Sequence, residues 1–243
     1  MSYLEDEVRS LFGRAVHHYG LVRDRDRVAV GLSGGKDSLS LLWLLADRRR
    51  RVPISFSLLA LWVDYGLDDL LGEALERTCR ELEVELIRIE ADWKPQEEGS
   101  CYSCARKRRR RLLEAADKAE AGVVALGHNL DDLIETHFLS LIHNARSEAL
   151  LPGSLLMGDR FKIIRPLLLV PAAKLVRFAQ VKNLPVRDNP CPHAESSARA
   201  QVRRALSDLL SLHPRARQNI LRGLTRWDPN RFPAPLGPER NKK

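Results

Sequence analysis

The segment Val28–Leu45, VAVGLSGGKDSLSLLWLL, decides the fold. Val28, Ala29, Val30 and Leu32 form a short apolar run of the kind buried in a parallel strand. Leu39, Leu41, Leu42, Leu44 and Leu45 then recur at helical spacing. Between the two, Ser33, Gly34, Gly35, Lys36, Asp37 and Ser38 must turn a strand sharply into a helix. Such a turn aims backbone N–H groups and a helix N-terminus at one point, and an anion is its natural occupant. Lys36 adds a point charge for phosphate. The turn is not a Walker A loop: Lys36 is followed by Asp37 instead of Ser or Thr, and no glycine precedes Gly35 at the required spacing. Nor does it follow G-x-G-x-x-G.

Outward from this stretch, apolar runs alternate with amphipathic ones. Further strands are expected over 54–63, 84–89, 123–126 and 161–164. Helices are expected over 3–21, 68–82, 101–120, 131–143, 171–182, 197–212 and 214–227. Strands alternating with helices predict an α/β fold with a parallel sheet and right-handed crossovers. In such sheets ligands bind beyond the C-terminal strand ends. The first strand ends at SGGKDS, the second at Val63-Asp64-Tyr65 and the fourth at Gly127-His128, so three loops should meet at one crevice.

The chain has 243 residues, 44% hydrophobic and 30% charged, which suits a globular core. No run approaches the ~18 apolar residues of a membrane helix. The opening MSYLEDEVRS is acidic and amphipathic, unlike a secretory leader, so the expected compartment is the cytoplasm. Net charge is +8 and unevenly placed. Residues 161–243 carry 17 Lys and Arg against 5 Asp and Glu, whereas the rest carries 23 against 27. A basic C-terminal third suggests a polyanion, most simply nucleic acid; the competing reading is a solvated surface.

Four groups carry the chemistry. In the first, Ser33, Gly34, Gly35 and Ser38 offer donors to phosphates and Lys36 neutralises them. Asp37 either holds Mg²⁺ or caps the helix. In the second, Gly127, His128, Asn129, Leu130, Asp131 and Asp132 place paired carboxylates at a strand-to-helix turn. They suit a metal ion held against a nucleotide, or capping by Asp131. The third is Cys101-Tyr102-Ser103-Cys104 together with the distant Cys191. One CxxC fits a redox pair, half a zinc site or part of an iron–sulfur site. Three cysteines without an obvious fourth partner favour a cluster with one open iron, and His193 is the residue that would instead complete zinc. Cys79, on an amphipathic helix, reads as a buried thiol. The fourth is Arg106 to Arg111, six consecutive cations. Arg108 lies four residues after Cys104 and so shares its face.

SGGKDS resembles the pyrophosphate loop of the PP-loop (N-type) ATP pyrophosphatases, which implies cleavage of ATP to AMP and pyrophosphate. CYSC with ARKRRR, LGHNLDD, IRPL and NPCP follow it in order. Together they resemble the PP-loop tRNA 2-thiolation enzymes (the TtcA/TtuA family) over about residues 25–210. The resemblance implies a Rossmann-like domain of the adenine nucleotide alpha hydrolase type over 25–190. A helix over 1–24 precedes it, a helical region over 191–227 follows, and a disordered tail covers 228–243. It implies ATP, Mg²⁺ and a 4Fe-4S cluster on Cys101, Cys104 and Cys191. ATP contacts would come from Ser33 to Ser38, Val63, Gly127, His128 and Asp131, and catalytic groups would be Asp132, Arg108 and Lys36. Implied partners are tRNA, a sulfur donor (cysteine desulfurase or sulfide) and a second copy in a homodimer. With one CxxC, the 2-thiocytidine branch fits better than the branch with zinc ribbons. The alternatives are thiolation of a uridine or thymidine, a cluster-free ligase or amidotransferase of the lysidine synthetase type, and an RNA-binding module that releases no pyrophosphate.

Overall fold

The computed structural model describes residues 3–66, 68–95, 101–187 and 197–225. In chain order the elements are α1 (Tyr3–His18), β1 (Arg27–Leu32), α2 (Lys36–Arg49), β2 (Ser57–Asp64), α3 (Asp69–Glu81), β3 (Glu85–Glu90) and α4 (Cys101–Lys118). Then come β4 (Val123–Ala125), α5 (Leu130–Asn144), β5 (Gly153–Leu156), β6 (Phe161–Ile164), α6 (Ala172–Val181), α7 (Ala198–Ser211) and α8 (Ala216–Thr225).

One sheet has the order β3-β2-β1-β4-β6-β5. Its first five members run parallel, with Val30 opposite both Ala60 and Ala125. The chain builds outward from β1 through β2 to β3, then returns to lay β4 on the other side of β1. The strand order therefore reverses between β1 and β4, and the crevice beyond that pair is the topological switch point. The departure from an all-parallel sheet is β5, which pairs antiparallel to β6 with Leu156 opposite Phe161. Met157, Gly158 and Asp159 turn the chain between them with positive φ. These four edge residues lack the apolar run that marks a doubly covered strand, so pattern alone passes over them.

Both faces of the sheet are covered, which is why its strands read as unbroken apolar runs. Val28, Val30 and Leu32 pack with Leu58, Ala60, Trp62 and Ile164 under α1, α2, α3 and α6. Ala29, Leu59, Leu61, Val63, Val124 and Ile163 face the other way, onto Leu112 and Ala116 of α4. A third cluster joins Leu130, Leu133, Ile134 and Leu168 to Leu206, with Val202, Ile220 and Leu224 against it, and docks α7 and α8 on α5. α1 is further tied down by Arg9, whose guanidinium lies 5.2 Å from the Trp43 ring centroid, and by the pairing of Glu5 with Lys182 (2.9 Å). The expected boundary at residue 190 and the expected tail over 228–243 lie outside the described residues.

Candidate active site at the switch point

The loop after β1 holds its shape through its own hydroxyls. Ser33 N–H donates to Ser38 Oγ (3.1 Å), and Ser38 Oγ–H donates to Gly35 O (3.0 Å). Gly34 has φ +73°, and a Cβ there would meet Leu71 Cδ1 at 2.6 Å, so only glycine fits both the backbone and the space. Gly35 occupies the N-cap of α2 and no side chain caps that helix. The first-turn amides are left for an anion. The Arg187 N–H donates to Gly34 O (3.0 Å), strapping the segment after α6 over the loop.

Lys36 Nζ donates to Asp37 Oδ2 at 2.9 Å. Asp37 Oδ1 is buried without a hydrogen-bond partner. Burial pushes the Asp37 carboxyl above the usual carboxylate range, Lys36 opposes that, and the charge of Asp132 adds to it. A buried carboxylate oxygen with no protein hydrogen bond, on a group that feels the charge of a second carboxylate, suits a hard divalent cation, so these residues fit Mg²⁺.

Gly127 lies against the start of α2: a Cβ on it would sit 3.0 Å from Asp37 C and Ser38 N. The β4 loop and the phosphate loop are thus in backbone contact, as the convergence of strand ends required. Beyond it the capping role falls to Asn129, not Asp131. Asn129 Oδ1 accepts from the Asp131 and Asp132 amides (2.9 and 3.2 Å), and Asp132 Oδ2 accepts from Asn129 N (2.9 Å). This reciprocal pair is a capping box. Asp131 turns away from the crevice: Oδ2 accepts from Ala172 N of α6 (2.7 Å) and Oδ1 from Arg217 Nε of α8 (2.6 Å). Both its oxygens are engaged, and in this arrangement Asp131 joins helices.

His128 borders the crevice. Burial pushes its imidazole down to about 4; Asp132 opposes this, while Arg165, Arg199 and Arg109 reinforce it. The ring is neutral at physiological pH, and its Nδ1 is buried without a partner. The side chain of Val63 lies in the core, so a nucleotide can meet only its backbone. Asp64 is held by Arg88 and by Gly66 N (2.9 Å).

Cys101 opens α4, and Cys104, a free and half-buried thiol, lies one turn on. Cys104 lies beside Tyr65 at the end of β2, and a half-buried thiol there is a donor that suits a metal cluster. Cys191 lies outside the described residues. Among the described residues no three His, Cys, Asp or Glu side chains converge as a metal cage. The six cations split around α4. Arg108 and Cys104 lie beside the buried Tyr65 hydroxyl, which is pushed up to about 12, chiefly by burial. Arg109 faces His128 and Arg165, Lys107 Nζ lies over Trp93 (5.9 Å), and Arg110 pairs with Glu114 (2.7 Å). Cys79 is buried and its thiol is pushed up to about 12 by that burial, as expected of an inert residue. No helix among the described residues is long and apolar enough to cross a membrane.

The phosphate loop on a parallel sheet, closed by the Gly127 turn, defines the class, and residues 4–210 match the PP-loop domain. The sequence is 33% identical over 229 residues to a tRNA-cytidine(32) 2-sulfurtransferase of Acaryochloris marina, covering 91% of this chain and 81% of that protein. It is 32% identical over 237 residues to the enzyme of the same name from Geobacter sulfurreducens, with coverages of 92% and 90%. This chain belongs to the tRNA-cytidine(32) 2-sulfurtransferase family of PP-loop proteins. Among solved structures, the U34-tRNA thiolase NcsA from Methanococcus maripaludis with its 4Fe-4S cluster superimposes with TM-score 0.77 and 25% identity, covering 92% of this chain and 79% of that one. NAD+ synthetase from Burkholderia pseudomallei shares the fold, with TM-score 0.51 and 16% identity.

Three site residues were not legible beforehand: Asn129 as the cap, Tyr65 beside Cys104, and Arg199, which reaches Asp132 from α7. Asn129 had a local signal, since Asn three residues before Asp marks a cap. The other two depend on contacts between distant elements.

Proposed function

We propose that this chain is an ATP-dependent sulfurtransferase that replaces O2 of a tRNA pyrimidine with sulfur, the cytidine at position 32 being the target its relatives' names suggest. The observation that carries the reading is the backbone contact of Gly127 on Asp37 and Ser38. It joins an uncapped anion cradle to the turn bearing Asp132. O2 of the base attacks the α-phosphorus of ATP; the bond to the bridging oxygen breaks and pyrophosphate leaves. The amides of Gly35 to Ser38 receive the pyrophosphate, and Lys36 moves from Asp37 to the phosphates. Asp37 and Asp132 would help hold Mg²⁺, which would neutralise phosphate charge. Neutral His128 can share a hydrogen bond without adding charge. Sulfur then bonds to C2, the C2–O2 bond breaks, and AMP departs carrying the original O2 in place of a poor oxygen leaving group.

Cys101, Cys104 and Cys191 would hold a 4Fe-4S cluster, which when bound would deliver the donor's sulfur to the base. Arg108, on the Cys104 face of α4, stabilises phosphate charge on the departing AMP. A basic C-terminal third is suited to tRNA. Sulfur comes from a cysteine desulfurase or free sulfide, the compartment is the cytoplasm, and the working unit is a homodimer. The test is mass spectrometry of nucleosides from tRNA incubated with protein, ATP and sulfide. Wild type should add one sulfur in place of one oxygen at a cytidine and release pyrophosphate. Lys36→Ala should do neither; equal pyrophosphate from both proteins would refute the reading.

A further inference from the structure

The acids along α5 are answered from the far end of the chain. Asp131 pairs with Arg217 (2.6 Å), Glu135 with Arg203 (2.6 and 3.1 Å) and Asp132 with Arg199 (3.4 Å). The three contacts are not alike. Glu135 is 4% exposed and takes Arg203 on both oxygens, the geometry of a buried fork. Asp131 ties α8 at short range. These two pairs, with the apolar cluster around Leu206, account for the docking of α7 and α8. Arg199 adds less to that clamp, because its contact with Asp132, at 3.4 Å, is much longer than the 2.6 Å contacts of Arg203 and Arg217.

What Arg199 does instead is straddle one turn of α5 beside the crevice. Its Nη2 donates to Thr136 Oγ1 (3.2 Å) while Nη1 faces Asp132 Oδ1. Asp132 Oδ2 is already committed to the Asn129 amide, so Oδ1 is the oxygen left for chemistry. His128 feels the charges of both Asp132 and Arg199, which places all three in one neighbourhood. Asp37 carries a second carboxylate close by, and its charge repels that of Asp132. A guanidinium anchored on Thr136 fixes the direction of Oδ1 without enclosing it.

We propose that Arg199 is a positioning residue that orients the Asp132 carboxylate, so that the docked α7 completes a crevice built by β1 and β4. The inference rests on the sulfurtransferase reading, in which Asp132 serves that crevice. Lysine can reach Asp132 or Thr136 but not both, so Arg199→Lys should restore only part of the function.

The test measures pyrophosphate release with tRNA and thermal midpoint on the loaded full chain. Arg199→Ala should lower kcat on the order of tenfold. KM for ATP and the midpoint should stay near wild type. Arg203→Ala should do the reverse, lowering the midpoint while keeping kcat per folded molecule. In Asp132→Asn/Arg199→Ala the loss should not exceed that of Asp132→Asn alone, as expected of groups acting as a unit. The proposal is overturned if the two losses multiply, or if Arg199→Ala lowers the midpoint like Arg203→Ala with kcat intact. If Asp132→Asn keeps the wild-type rate, the proposal falls while ATP cleavage stands. If wild type releases no pyrophosphate with tRNA, the sulfurtransferase reading falls and takes the proposal with it.

Discussion

Gly127→Ala tests whether the two loops work as one. The added Cβ would stand 3.0 Å from Asp37 C and Ser38 N and 3.2 Å from Ser38 Cα, all main-chain atoms of the first turn of α2. A side chain could swing aside, but this backbone is fixed by β1 behind it and by the Ser33–Ser38 hydroxyl contacts. Relief requires the phosphate loop and the His128 turn to separate by a few tenths of an ångström. Overpacking of this kind costs about 1–3 kcal/mol. For a chain of this size that is a fall of roughly 2–12 °C in thermal midpoint. Activity should suffer more than stability, because the separation moves Lys36 and Asp37 away from Asp132. A misplacement approaching 1 Å can cost on the order of a hundredfold in rate. The expected result is therefore at least about a tenfold loss of pyrophosphate release at a temperature where the variant is fully folded. Gly122→Ala is the control, since nothing lies within 4 Å of a Cβ there. Differential scanning calorimetry and a coupled pyrophosphate assay report on both proteins. If Gly127→Ala melts and turns over like Gly122→Ala, the loops are not coupled through this contact and the argument fails.

Gly34→Ala should destabilise for two separable reasons, the positive φ of about 1–2 kcal/mol and the clash with Leu71. Adding Leu71→Ala should reverse only the second; full recovery in urea melts would show that the backbone angle costs nothing. His128 should impose an acid limb on stability. Its folded pKa, about 4, lies below the free value of 6.5, so the unfolded chain binds the proton more readily. Its contribution is present above pH 6.5 and is lost as pH falls toward 4, by at most about 3 kcal/mol. His128→Gln should flatten that limb, and an unchanged limb would assign the acid sensitivity elsewhere. After anaerobic reconstitution, Cys104→Ala and Cys191→Ala should each lose bound iron and visible absorbance. Cys79→Ala should keep both, its thiol being buried in the core. Iron retained by Cys104→Ala would remove that residue from the ligand set.

Much of the site was legible because it is local. SGGKDS announces an anion turn whatever surrounds it, since glycines, a lysine and a following helix suffice. The parallel sheet followed from apolar strands alternating with amphipathic helices, and the observed strands begin and end within a few residues of that reading. What escaped either lacked an apolar pattern of its own or depended on partners distant in the chain. β5 is four ordinary residues that become a strand only because β6 offers an unpaired edge. Asp131 looks like a ligand in isolation, and its engagement follows from Ala172 and Arg217, 41 and 86 residues away.

The phosphate loop and the sheet that carries it are readable from sequence alone, because both are written in short-range spacing and residue chemistry. Only the tertiary structure decided which acids remain for chemistry. Asp131 and Glu135 are drawn into ion pairs with Arg217 and Arg203, Asp132 keeps one oxygen beside Arg199, and Asp37 keeps one without a partner. A carboxylate's role depends on which donors reach it, and the arginines that answer Asp131, Asp132 and Glu135 come from helices more than sixty residues downstream in the chain.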